Sequence, residues 1–176
     1  MKIFDCFMYF DEEVVVDLRL NTLDKFVDYF VIVESKFTHK GDEKDLKFNH
    51  KKFEKFKEKI IYLIYDKSPS QIQEIKNQDS EDEKSTKYIF NAAYRENAQR
   101  NYIEKGLINA NKNDIILISD VDEIPNLSNI NLNKINEKII LLYILLKFTF
   151  SKFGISSTSD TIIISLSSAL FSPFKI

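Results

Sequence analysis

Asp120 and Asp122 stand one residue apart where an apolar run ends. In "IILISDVDEIPN" (115–126), aliphatic residues lead through one serine into three carboxylates, Asp120, Asp122 and Glu123, before Ile124 and Pro125 close the stretch. Alternate residues of an extended segment present their oxygens together. Such hard ligands suit Mg²⁺ or Mn²⁺. Two carboxylates rarely complete a shell, so the cation keeps waters and takes phosphate oxygens from a bound nucleotide. A cation there screens two like charges that would otherwise raise each other's pKa. As a Lewis acid it stabilises the charge developing on a departing diphosphate. Pro125 fixes the backbone behind the motif and makes Ile124 extended. Asp-x-Asp alone is common, and its bland reading is a loop made soluble by acids. The apolar residues before it and "EIP" after it make it informative.

Positioning such a site takes a sheet. "KIFDCFMYF" (2–10), "YFVIVES" (29–35), "KIIYLIYD" (59–66) and residues 114–119 read as strands, the later ones apolar enough to be buried on both faces. Val16, Leu20, Leu23 and Val27 fall on one helical face, although "VVV" at 14–16 weakens the pattern. A Lys/Phe-rich helix is expected near 49–58, a polar, mobile insertion over 67–87, and a long helix over 87–110. Alternating strand and helix predicts an α/β fold, a mostly parallel sheet covered by helices. Ligands of such sheets bind beyond the carboxyl ends of the strands, where the three carboxylates lie. On the long helix Ile89, Ala93, Ile103 and Leu107 form a stripe that also contains Glu96 and Arg100. That i, i+4 pair is either a half-buried structural salt bridge or the wall of a polar ligand pocket.

The bulk properties exclude more than they identify. The 176 residues amount to one domain by length, 44% hydrophobic and 30% charged, with a formal net charge of -2. That charge leaves no footprint for nucleic acid. Cys6, the single cysteine, excludes an internal disulfide and reads as a small buried hydrophobe. His39 and His50 without a cysteine cluster make zinc a poor fit. No signal peptide is recognisable at the start, because Asp5 and "DEE" interrupt the apolar run, and a cytoplasmic location is expected.

"SDVDEIP" (119–125), "ESKFTHKGDEKDLKF" (34–48), "DLRL" (17–20) and "RENAQRNYI" (95–103) together resemble glycosyltransferase family 17, the β-1,4-mannosyl-glycoprotein β-1,4-N-acetylglucosaminyltransferase family. Block order and spacing fit from "FDCFMYFDEE" to about residue 138. The resemblance implies a GT-A-like nucleotide-sugar-binding fold over 1–138, a UDP-sugar donor carrying N-acetylglucosamine, a divalent metal (Mn²⁺ or Mg²⁺), a glycan acceptor and an inverting transfer. It carries the metal role to Asp120 and Asp122; Glu123 belongs to the same motif and is read as a donor-side residue that supports by hydrogen bonding rather than ligating. Glu34 is then placed to meet the nucleoside, with Glu96 and Arg100 on the donor side. Arg19 and Arg95 are read as structural ion-pair partners, and His39 lies in a substrate-side loop. The general base that inversion requires is expected after the Asp-x-Asp.

Beyond Ile139 the chain becomes apolar and Ser-rich, and the resemblance ends. The 139–176 tail reads as a frameshifted product, which would leave a donor half without acceptor contacts. The alternatives are two strands, "KIILLYILLKF" and "DTIIISLSSALF", or a segment lying on the inner face of a membrane. Its apolar core is eight residues long, against the roughly 20 that a transmembrane span needs. Two other functions compete. One is a nucleotide-sugar-binding remnant without turnover. The other is a haloacid-dehalogenase-type phosphatase, disfavoured by Ile124 and by the strands that precede the motif.

Overall fold

The computed structural model describes residues 1–111 and 113–128 and, as backbone, the strand residues 162–165. Four strands form a parallel sheet: β1 (Ile3–Tyr9), β2 (Tyr29–Ser35), β3 (Ile60–Tyr65) and β4 (Ile115–Ile118). A short β5 (Ile162–Ser165) runs antiparallel along β4, giving the spatial order β3-β2-β1-β4-β5. The expected α/β architecture is therefore present, and it is compatible with a GT-A-like fold. From β1 the chain builds outward through β2 to β3, then returns to place β4 on the other side of β1. In parallel sheets such a reversal marks a ligand crevice beyond the carboxyl ends of the two strands that flank it, here β1 and β4.

The alternation of β1 sorts its side chains to two layers. Ile3, Phe7 and Tyr9 join Val16, Leu20 and Leu23 of α1 (Glu13–Leu23) in one core, together with Phe30, Ile32, Phe53, Phe56, Ile115 and Leu117. Phe4 and Cys6 face the opposite layer, with Val31, Val33, Ile116 and Ile103. Each such fully buried aromatic or aliphatic side chain contributes about 1.5–3 kcal/mol. Asp5 has the parity of the α1 layer and is completely buried there.

The expected elements need several corrections. No α-helix forms over 49–58: the Asn49 side chain accepts from the backbone of Lys51 and Lys52, and only a three-residue 3₁₀ turn, Glu54–Phe56, follows before β3. Phe53 and Phe56, three apart, are buried, which is the spacing of that tighter turn. The insertion is shorter than 67–87, because α2 (Glu81–Asn101) begins earlier. Ser80 caps it and Glu83 returns the bond to the Ser80 backbone, a capping box present in the sequence as "SEDE". Asn91 then ties the preceding loop down through both backbone groups of Gln73, at 2.8 Å each.

The apolar stripe of the long helix holds at Ile103 and Leu107 and fails at Ile89. Ile89 is 63% exposed, and the buried positions of α2 are Asn91 and Gln99. The helix meets the sheet through its last turns, where Gln99 donates to the Val33 carbonyl at 2.9 Å. Ala98, Tyr102 and Leu107 pack there around Ile103. β3 is the edge of the sheet and only half-buried, with Ile64 exposed, so it is not covered on both faces. Among the described residues no helix is long and apolar enough to cross a membrane. β5 lies within the second apolar run of the tail; the first run and the boundary at 138 fall outside the described residues.

The 3₁₀ turn after α2, Tyr102–Leu107, approaches the sheet closely at Gly106. A Cβ there would overlap the Val31 Cγ1. Gly106→Ala should therefore cost about 1–3 kcal/mol by overpacking, read from urea unfolding. A neutral result would contradict the close contact.

Candidate functional site

Arg19 organises the carboxyl end of β4. It projects from α1 within the apolar stripe, with no solvent exposure, and stacks 4.7 Å from the Phe7 ring centroid. Its Nε and Nη2 grip the two Asp5 carboxylate oxygens at 2.8 Å each. Nη2 also donates to the Ser119 hydroxyl. Nη1 reaches the backbone carbonyls of Asp120, Val121 and Glu123 at 2.8, 3.1 and 3.2 Å. Every guanidinium N–H thus has an acceptor. A buried charge is tolerable only under that condition.

This arrangement orients the Asp-x-Asp. With its carbonyls drawn inward to one guanidinium, the turn directs Val121 into the α1-side core, along with Leu127. Pro125 is buried and Ile124 packs against the same cluster. Asp120 is left partly exposed and Asp122 exposed, on the solvent side of the crevice. Glu123 folds back: its backbone N–H donates to the Asp120 carbonyl at 3.1 Å, and its carboxylate accepts from the Asp120 N–H at 3.3 Å.

Arg100, near the end of α2, closes the crevice from the other layer. Its Nη2 donates to Glu96 Oε1 at 2.9 Å and to Asp120 Oδ1 at 3.1 Å. The expected Glu96–Arg100 pair is thus present, and it is continued to the motif itself. Burial raises the Asp120 carboxyl above its ordinary range against the pull of Arg100, with Glu96 and Asp122 adding to the rise. A group in that condition favours a neighbouring positive charge. Among the described residues no three His, Cys, Asp or Glu side chains gather into a metal cage. Two outward carboxylates fit a cation that draws the rest of its shell from water and a diphosphate.

Glu34 lies at the carboxyl end of β2, completely buried. Its carboxylate accepts from Lys44 Nζ at 2.6 Å, the Lys47 N–H at 2.8 Å, the Phe48 N–H at 3.1 Å and the Tyr62 hydroxyl at 2.7 Å. Those bonds fill the acceptor sites of one carboxylate. Glu34 therefore holds the 36–48 loop in place. Burial, followed by Glu34, pushes the Tyr9 hydroxyl up to about 12 and raises Tyr62 further still. Lys44 continues outward to stand 4.9 Å from the ring centre of Phe10, an exposed aromatic just past β1. Arg95, read as an ion-pair partner, instead donates to the His39 carbonyl at 3.0 Å. It docks the same loop where Gly41 turns at φ 100°. His39 itself is exposed.

The structure thus brings Asp120, Asp122, Glu123, Glu96 and Arg100 to one crevice and keeps Glu34 behind it as a loop anchor. Concavities among the described residues lie elsewhere. One of about 320 Å³ is lined by His50, Phe53, Glu54, Lys57, Ile60 and Tyr62 along the β3 edge. A smaller one lies between Arg95, Gly41 and Tyr65. The sequence reading missed Asp5, Ser119, Lys44 and Tyr62. For Asp5 a signal existed: a lone acid inside an apolar strand and a lone arginine inside an apolar helix stripe both need partners.

The Glycosyltransferase family 17 profile matches residues 1–156, most of the chain, and so extends past residue 138, to which the sequence resemblance was traced. The chain belongs to glycosyltransferase family 17. No curated protein and no solved structure gives a significant match. Family membership makes the chain a glycosyltransferase by ancestry and implies sugar donor and acceptor partners. The matched span includes the Asp-x-Asp turn, the Glu96–Arg100 pair and the Arg19 cluster.

Arg19→Met leaves Asp5 buried without its counter-charge and three carbonyls without their shared donor. It should lower the unfolding free energy by about 3–5 kcal/mol in urea titration. A loss below about 1 kcal/mol would show that the cluster does not hold the turn.

Proposed function

We propose that the chain binds a UDP-sugar with a divalent cation in the β1/β4 crevice. On this reading it supports an inverting transfer of N-acetylglucosamine from UDP to a glycan acceptor. The observation that carries this is the Asp-x-Asp turn itself. Its carbonyls are locked inward on Arg19, so that Asp120 and Asp122 open onto the switch point of a parallel sheet. In a glycosyltransferase family 17 chain, hard oxygen ligands at that place would suit a divalent cation bound together with a diphosphate.

Asp120 and Asp122 would hold Mn²⁺ or Mg²⁺. When bound, the cation supplies Lewis-acid stabilisation of the leaving diphosphate. The chain's own groups do the rest of the donor-side work. Arg100 offers a planar guanidinium suited to phosphate oxygens. Glu123 braces the Asp120 backbone, and Glu34 acts through the 36–48 loop that it anchors. Phe10 presents an exposed ring just past the carboxyl end of β1. The base that takes the acceptor's proton is expected after the Asp-x-Asp, where most of the chain lies outside the described residues. Binding without transfer would use the same donor groups, and turnover of UDP-N-acetylglucosamine separates the two.

Calorimetric titration with UDP and UDP-N-acetylglucosamine, with and without Mn²⁺, tests the reading. Binding should require Mn²⁺ and weaken by roughly tenfold or more in Asp122→Asn. Metal-independent binding, or an unaffected variant, would contradict the assignment of Asp122.

A further inference from the structure

The Arg100 guanidinium has two masters. Its Nη2 is shared between Glu96, one turn back on α2, and Asp120 at the end of β4. The arginine side chain is 13% exposed, while Glu96 and Asp120 are 38% and 44% exposed. The positive charge therefore lies on the inner side of the crevice and the carboxylates face outward. We propose that Arg100 is a built-in counter-cation: it neutralises Asp120 while no metal is bound and passes to the diphosphate when metal and nucleotide arrive together. Metal binding then depends on the nucleotide. This deepens the donor-site reading and rests on it.

Charge governs the exchange. A divalent ion approaching Asp120 alone meets a guanidinium already bonded to one of the oxygens it needs, and like charges at such separations repel strongly in a partly desolvated site. Removing the arginine from Asp120 without a replacement partner would leave it with Glu96 only. A diphosphate changes the balance, because it brings anionic oxygens that match the planar guanidinium fork. Glu96, at i, i+4 on the same helix, keeps the arginine tethered while the other end of the interaction is exchanged. Ion and nucleotide then each favour the other's binding, as coupled ligands must.

The experiment measures free Mn²⁺ by electron paramagnetic resonance, and UDP by calorimetry, for wild type, Arg100→Gln and Arg100→Lys. Arg100→Gln should bind Mn²⁺ alone about fivefold more tightly, the worth of one partly exposed charge pair, and should bind UDP about fivefold more weakly at saturating Mn²⁺. Arg100→Lys keeps the charge and should return the Mn²⁺-alone affinity towards the wild-type value. If wild type takes up Mn²⁺ and UDP but Arg100→Gln lacks these opposite shifts, the counter-cation role is overturned and the donor site stands. If Arg100→Lys gains Mn²⁺ affinity as Arg100→Gln does, the role is overturned as well. A folded wild type that binds neither ligand overturns the donor-site reading and this inference with it.

Discussion

The pairing of Arg19 with Asp5 is the constraint on which the site depends. Asp5 cannot be moved out of its layer, because the alternation that buries Phe7 and Tyr9 against α1 also points Asp5 there. A buried carboxylate demands a cation, and Arg19 supplies it from the middle of the α1 stripe. The guanidinium then has donors left over, and these capture the backbone of the Asp-x-Asp turn. One ion pair therefore couples β1, α1 and the end of β4. A buried pair of this kind is weak evidence for net stability, since an apolar replacement can serve as well. Its worth here lies in orientation: no apolar side chain could hold three carbonyls inward.

From that lock the rest of the crevice follows. Val121 fills the core, so the acids on either side of it face outward. Like charges so placed need a partner, and Arg100 provides one from the opposite layer. On the neighbouring strand Glu34 repeats the logic at a loop: a buried acid satisfied by four donors fixes the path of 36–48 and, through Lys44, the surroundings of Phe10. In both cases the buried charge shapes the backbone, and the groups left facing solvent are those available for binding.

Much of this was legible in the sequence. Apolar runs marked the four parallel strands, and the abrupt acids of "SDVDEIP" marked the carboxyl end of the last one. The Glu96–Arg100 spacing announced its own ion pair. What failed was what periodicity cannot carry. The stripe through Ile89 assumed that α2 lies on the sheet along its whole length, whereas only its last turns do. The 49–58 helix lost to an Asn49 turn and the short 3₁₀ turn at Glu54–Phe56, and the capping box at Ser80 was overlooked beneath a polar composition. Glu34 was placed at the nucleoside because its partners, Lys44, Lys47, Phe48 and Tyr62, come from a loop and a neighbouring strand that no local pattern joins to it. Arg19 was read as structural, but its hold on the turn depends on a contact across 101 positions that no local pattern encodes.

The most direct measurement is paramagnetic broadening of backbone amide signals by substoichiometric Mn²⁺ in the presence of UDP. The account predicts that the amides of residues 120–123, and of Phe10 and Asp11 across the crevice, broaden first, while those around His50 and Phe53 stay sharp. Broadening centred on the His50 concavity, or spread evenly over the acidic surface, would contradict the placement of the metal–nucleotide site at the β1/β4 switch point.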